Sequence, residues 1–158
     1  MSLKVGDRAP DFDLSDAEGN TVSLHGLKGT WVVLYFYPRD NTPGCTKEAC
    51  AFRDIYADYQ SRHAVVLGVS TDDAKSHAKF VTKFQLPFRL LCDPDGAVAT
   101  TYESYGLKKF MGKEYTGITR NTFLIDPTGK IAKIYLKVKP ETHPGQVIAD
   151  IDALIEQR

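Results

Sequence analysis

Thr30-Trp31-Val32-Val33-Leu34-Tyr35-Phe36-Tyr37 is an unbroken run of β-branched, aromatic and aliphatic side chains, closed by Pro38. A stretch apolar at every position, not every second one, suits a central strand covered on both faces. Pro38 has no N–H to continue a ladder, so the strand stops there. Arg39-Asp40-Asn41-Thr42-Pro43-Gly44 follows as a cluster of turn formers. Beyond it Phe52, Ile55, Tyr56 and Tyr59 fall at i, i+3, i+4 and i+7, which predicts a helix from about Cys45 to Arg62. Strand, turn and amphipathic helix in succession define an α/β chain.

On the N-terminal side, Phe12-Asp13-Leu14 and Val22-Ser23-Leu24 alternate apolar and polar residues around Asp16 to Asn20, which predicts a hairpin. On the C-terminal side, Ala64 to Val69 is a second buried strand. His77, Phe80, Val81 and Phe84 repeat helical spacing, with Thr71, Asp72 or Asp73 as cap and Pro87 as terminator. A strand near Phe88 to Leu91, a turn at Asp93-Pro94-Asp95-Gly96 and a short helix at Ala97 to Tyr102 come next. Tyr102, Tyr105 and Tyr115, near Lys108, Lys109 and Lys113, are weighed as a substrate or partner contact and read by default as a loop and short helix packed on the sheet edge. Asn121 to Ile125 and Lys130 to Val138 flank a turn at Asp126-Pro127-Thr128-Gly129. In the second of these strands Ile134, Leu136 and Val138 alternate with Lys133, Tyr135 and Lys137, which predicts one wet face. The same alternation makes Lys130, Lys133, Lys137 and Lys139 a solvated face, not a basic patch. Pro144 suits a first helical position, and Val147, Ile148, Ile151, Leu154 and Ile155 then line the core side of a closing helix.

The chain has 158 residues, 42% hydrophobic and 25% charged, with 20 basic and 20 acidic groups. That length fits one domain, taken as 1–158, whose core needs no disulfide or metal to hold it. Zero formal net charge without a basic stripe argues against nucleic-acid binding. The longest apolar run, Trp31 to Tyr37, is about a third of a membrane span, so no membrane association is expected. Met1-Ser2-Leu3-Lys4 lacks the apolar core of a signal peptide, and a cytoplasmic location is the default. Three cysteines make no extracellular disulfide framework. No phosphate loop or dinucleotide fingerprint is present, so no cofactor is expected.

Cys45 stands where strand, proline-rich turn and helix opening meet. A helix's first turn offers unpaired N–H groups and the positive end of its dipole. An ordinary thiol is only about 3% thiolate at pH 7. Lowering its pKa to about 6 takes about 3.4 kcal/mol of preferential thiolate stabilisation. A helix terminus supplies about 0.3–1 kcal/mol, occasionally about 2. A fixed arginine is the natural further contributor. Taken alone, a cysteine here reads as a small apolar residue, but Thr42, the stiffening prolines Pro38 and Pro43, and Cys50 five residues on change that reading.

Pro38-Arg39-Asp40-Asn41-Thr42-Pro43-Gly44-Cys45 resembles the P-x-x-x-T-x-x-C signature of peroxiredoxins. Thr42-Pro43-Gly44-Cys45-Thr46-Lys47-Glu48-Ala49-Cys50 is similar to the bacterioferritin comigratory protein, or peroxiredoxin Q, branch. The likeness runs from Val5-Gly6-Asp7-Arg8-Ala9-Pro10-Asp11-Phe12 to Arg120-Asn121-Thr122-Phe123-Leu124-Ile125-Asp126. The element order likewise resembles a thioredoxin-like fold: a central mixed sheet, helices on both faces and an N-terminal hairpin. The resemblance implies a thiol peroxidase for hydrogen peroxide and organic hydroperoxides. It implies that Cys45 is the peroxidatic cysteine, with Thr42 and Arg120 completing the activating site, and that Cys50 is the resolving cysteine. Pro38 would shield a sulfenic acid, and Glu48 would orient Arg120 or Arg39, unless it is simply an exposed helix glutamate. Thioredoxin or a similar dithiol would recycle the enzyme, and a monomer is expected.

In a regular helix the Cα atoms of residues 45 and 50 lie about 8.6 Å apart, beyond the roughly 4.4–6.8 Å of a disulfide. Pairing these cysteines therefore requires the helix start to unwind. Some members of the branch carry their second cysteine in the following helix, but Ser76 to Phe84 contains none. Cys92 reads as a structural strand-end cysteine. His25, His63, His77 and His143 show no ligand spacing; His77 fits a core edge and the others fit surface or capping positions. Two readings from other classes compete. A metal module built on Cys45 and Cys50 lacks a third and fourth ligand nearby. A disulfide exchanger without peroxide turnover lacks C-x-x-C.

Overall fold

In the computed structural model, which describes residues 2–157, the N-terminal hairpin forms as β1 (Asp13–Asp16) and β2 (Thr21–Ser23). The apolar run follows as β3 (Trp31–Phe36), with every residue buried. The helix expected over 45–62 is two helices, α1 (Pro43–Asp54) and α2 (Tyr56–Ser61). Ile55, β-branched and at φ −120°, ψ 22°, leaves helical conformation and separates them. Then come β4 (Ala64–Ser70), α3 (Ala74–Phe84), β5 (Arg89–Cys92) and α4 (Ala97–Thr101). Of the three proposed caps on α3, Asp73 is the one used, accepting from Ser76 N–H at 2.8 Å. The helix ends at Gln85 in the left-handed region (φ 52°), before Pro87 is reached.

Residues 105–118 depart from the expected loop and short helix. They form a two-stranded ribbon, β6 (Tyr105–Phe110) and β7 (Lys113–Ile118). Met111 and Gly112 both have positive φ at its turn, as the tightest hairpins require. The chain closes with β8 (Thr122–Ile125), β9 (Ile131–Tyr135) and α5 (His143–Glu156).

β9 corrects a second expectation. It ends at Tyr135, which is buried, whereas Leu136 is 55% exposed. Tyr135 packs into the helix-covered core while Ile134 packs on the opposite face, and the strand stops before Lys137, whose φ of 49° breaks the alternation, so Val138 lies with Tyr135 and not with Ile134. Lys130, Lys133, Lys137 and Lys139 are exposed. On α5, Val147 and Ile151 are buried, but Ile155 faces solvent.

Seven strands make one mixed sheet in the order β2-β1-β5-β4-β3-β8-β9. β3 is parallel to β4 and antiparallel to β8, so the site loop leaves from the middle of the sheet. One face is covered by buried residues of α1, α2, α3 and α5, including Phe52, Tyr59, Phe80 and Val147. The other is covered by Ala9, Phe12, Leu24, Ala99 and Tyr102 from the N-terminal segments and α4. The long helices thus share one face.

Candidate active site

Pro43 and Gly44 are the first two residues of α1, and Cys45, 1% exposed, is the third. Thr42 is the extended N-cap residue, and its carbonyl accepts from Thr46 N–H at 2.8 Å. Its hydroxyl does not cap the helix but donates to the Arg39 carbonyl at 2.9 Å. The helix opening is therefore left without a side-chain cap, and its positive end faces the buried sulfur.

Arg120 arrives from the short segment between β7 and β8. Its carbonyl accepts from Val138 N–H, and the carbonyl of the next residue, Asn121, accepts from Phe36 N–H, each at 2.9 Å. Antiparallel pairing of β8 with β3 thereby brings residue 120 beside the loop that follows β3. The guanidinium then spans two partners. Nη2 donates to Cys45 Sγ at 3.4 Å and Nη1 to Glu48 Oε1 at 2.8 Å. Of the two arginines proposed for Glu48, Arg120 is the one it holds.

Glu48 is fully buried and its Oε2 has no hydrogen-bond partner. Burial drives its carboxyl up to about 7, against the opposing pull of Arg120. Arg120 itself loses some proton affinity to burial, but Cys45 and Glu48 outweigh that and raise its pKa. The guanidinium is thus a permanent donor aimed at sulfur and steered by a carboxyl that titrates near neutrality. Beneath them the Tyr35 ring stacks on Phe52 at 4.8 Å between centroids, so the floor of the site is aromatic.

Pro38, half-buried, and exposed Arg39 border an open groove of about 400 Å³, with Thr71, Lys108, Tyr115 and Ile118 among its walls. Lys108 donates to the Ile118 carbonyl at 2.8 Å. Burial lowers its pKa, as does nearby Arg120, while Cys45 opposes them. The ribbon thus adds a second cation close to the sulfur. The sequence marks Lys108 and Tyr115 as a weighed contact but not the strands that carry them; the signals for those were Gly112 at a turn and the strand-forming Tyr115-Thr116-Gly117-Ile118.

Cys50 lies on α1 and is half-buried, and all three cysteines are free thiols. Cys92 stands at the end of β5, where burial and then Asp73 push its thiol up, an environment that resists ionisation. His25 and His63 are exposed. His143 is buried, contrary to the surface or capping role expected, with Nε2 2.8 Å from the Thr122 hydroxyl. Among the described residues the metal-capable group of three is Asp40, Asp72 and His77, and neither Cys45 nor Cys50 belongs to it.

Residues 5–134 match the AhpC/TSA family. The peroxiredoxin Bcp of Bacillus subtilis is 44% identical over 157 residues, covering 99% of this chain and 100% of its own. A putative peroxiredoxin bcp of Coxiella burnetii is 49% identical over 94% of this chain and 98% of its own. Among solved structures, the Xanthomonas campestris bacterioferritin comigratory protein, studied for alkyl peroxide reduction, superposes with TM-score 0.87. It is 36% identical and covers 96% of this chain and 97% of its own. A cysteine-to-serine mutant of Xylella fastidiosa PrxQ gives TM-score 0.92 at 31% identity, covering 98% and 99%.

Proposed function

The chain belongs to the AhpC/TSA family and is a peroxiredoxin with a thioredoxin-like fold, and from that premise we propose a mechanism built on Cys45, Arg120 and Cys50. The observation that carries it is the guanidinium of Arg120 set 3.4 Å from a buried sulfur at a helix N-terminus. The Cys45 thiolate attacks one oxygen of hydrogen peroxide or an organic hydroperoxide. The O–O bond breaks, sulfur is oxidised to sulfenic acid, and the departing alkoxide or hydroxide takes up a proton. Negative charge grows on the departing oxygen, where the Arg120 guanidinium, the Cys45 N–H and the Thr42 hydroxyl are suitable donors. For this the Thr42 hydroxyl must leave the Arg39 carbonyl. Glu48 holds Arg120 in place, and Pro38 limits water access to the sulfenic acid.

Cys50 then condenses with the sulfenic acid, releasing water and forming an intramolecular disulfide. Residues 43–50 must unwind for the sulfurs to meet, given their helical separation of about 8.6 Å. Thioredoxin or a similar dithiol reduces that disulfide by exchange and is itself oxidised. The enzyme acts as a monomer in the cytoplasm, without a cofactor. A stopped-flow record of Cys45 oxidation by hydrogen peroxide, followed by turnover with a dithiol, tests the reading. Sulfenic acid formation and dithiol-dependent turnover are expected, and a protein inert to peroxide would sink it.

A further inference from the structure

Asp40 lies in the loop between Pro38 and Cys45, yet its carboxylate belongs to a buried network reaching α3. Oδ1 accepts from the Tyr37 hydroxyl at 2.5 Å and Oδ2 from the Ser76 hydroxyl at 2.8 Å. Oδ2 also faces His77 Nδ1 at 2.7 Å, and the Tyr37 hydroxyl lies 3.4 Å from the same nitrogen. The Asp40 N–H donates to Asp72 Oδ2 at 2.7 Å, which the Ser70 hydroxyl also reaches at 2.7 Å. His77 Nε2 faces the Leu91 carbonyl at 2.9 Å. Donors reach both carboxylate oxygens of Asp40 and Oδ2 of Asp72, so hydrogen bonding is enough to hold the cluster together.

The partners of the ring fix its charge. A backbone carbonyl only accepts, and so does an ionised carboxylate. An imidazole bonded to both must donate from both nitrogens, and only the imidazolium carries two N–H groups. With Asp40 ionised, the two side chains form a buried ion pair, 0% and 3% exposed. Removing either partner would strand a buried charge.

We propose that the Asp40–His77 pair is a positioning device for peroxide reduction, pinning the Pro38–Thr42 loop to α3 and β5 while His77 is protonated and loosening it when the proton leaves. The inference rests on Cys45 being the attacking thiolate. The loop sets Pro38 beside the groove and Thr42 at the opening of α1, so a slack loop misplaces both. The groups set against His77 are Tyr37 and Asp40 just beyond β3, Asp72 from the turn after β4, and the Leu91 carbonyl of β5, with Ser76 of α3 sharing Asp40 Oδ2. Burial opposes its charge, but Asp40, the Leu91 carbonyl and Asp72 prevail and raise its pKa above the ordinary histidine value. The staple is therefore complete on the acid side of that titration and loses its charge and one of its two N–H bonds as pH rises through it.

The test combines ring-nitrogen NMR of the histidine-labelled full chain with stopped-flow oxidation of Cys45 by hydrogen peroxide from acid to alkaline pH. Wild type is expected to show His77 as an imidazolium at neutral pH and an alkaline fall in rate that tracks its titration. His77→Gln and Asp40→Asn should each slow oxidation about tenfold, the scale of one charge-assisted hydrogen bond, and His77→Gln should lack the alkaline fall. The double variant, an uncharged amide pair, should recover most of the rate. A neutral His77 ring at neutral pH, or a His77→Gln variant with wild-type rate and profile, overturns the proposal. Should the single variants misfold, the wild-type measurements decide alone: an alkaline fall that does not follow the His77 titration also overturns it. Wild type that fails to oxidise at Cys45 strikes the underlying assignment instead.

Discussion

Gly44 and Arg120 occupy one space: a Cβ at residue 44 would lie 3.0 Å from Arg120 Nη2. That nitrogen cannot easily withdraw, because its guanidinium is already held by Glu48 on one side and by Cys45 on the other. Glycine in the first turn of α1 therefore leaves room for the cation above the sulfur. Elsewhere in a helix it would be a liability of about 1 kcal/mol relative to alanine.

Gly44→Ala sets those two effects against each other. We expect peroxide oxidation of Cys45 to slow by about tenfold, the scale of one misaligned charge-assisted bond. Helix α1 should become no less stable. Stopped-flow rates and denaturant melts separate the two, and an unchanged oxidation rate would show that Arg120 can move aside.

Cys45→Ser should abolish peroxide turnover. Cys50→Ser should keep the first oxidation and lose dithiol-dependent turnover, whereas Cys92→Ser should leave turnover nearly intact. Mass spectrometry of the singly oxidised proteins checks the assignment. A Cys50→Ser protein as inert toward peroxide as Cys45→Ser would contradict it.

Arg120→Ala should slow peroxide attack even at a pH where the thiol is fully ionised, because the guanidinium also stabilises the departing oxygen. Arg120→Lys should rescue only part of the rate, since an ammonium cannot span Glu48 and Cys45 with a planar fork. Rate-against-pH curves for the three proteins test this. Wild-type plateaus in Arg120→Ala would remove it from the reaction.

Glu48→Gln gives a stability signature with a definite sign. The folded-state carboxyl titrates at about 7 instead of 4.5, so between those values the native state binds more protons than the unfolded one. Wild-type stability should therefore fall as pH rises through that window. The Gln variant lacks this term, so its stability relative to wild type should improve by about 3 kcal/mol across the window. Urea melts at both ends measure it, and a difference independent of pH would mean that Glu48 is not strained by burial. Peroxide oxidation should slow in the same variant, whose neutral amide steers Arg120 less firmly.

Amide hydrogen exchange across residues 42 to 56 should rise sharply when the 45–50 disulfide forms, while β3 stays protected. The energetic cost is a few backbone bonds at about 0.5–1.5 kcal/mol each, within reach of ordinary sub-global opening. Unchanged protection in protein proven to carry that disulfide would mean that the bridge forms without unwinding.

The central strand and the site loop were legible because their signals are local: a fully apolar run at 31–36, then proline and glycine around a cysteine. The ribbon over 105–118 was not, because Leu107, Phe110, Met111 and Tyr115 are exposed, so burial imposes no alternation on it. The burial of Tyr135 was not legible because both faces of β9 are covered, Ile134 packing on one and Tyr135 on the other, and the strand ends before Leu136. His77 was read correctly as apolar-faced, yet its charge was invisible: its partner Asp40 is 37 positions away, and only the fold joins them.

The interruption at Ile55 has a kinetic consequence. It makes α1 a separate twelve-residue segment whose start opens without disturbing α2, and local unfolding of a packed segment takes about microseconds to seconds. At the fast end of that range winding equilibrates many times during the life of a sulfenic acid. The branching between a reversible disulfide and irreversible sulfinic acid would depend on how often α1 is open, not on how fast it opens. Substitutions that firm the helix without touching the sulfur should therefore divert flux toward inactivation at high peroxide.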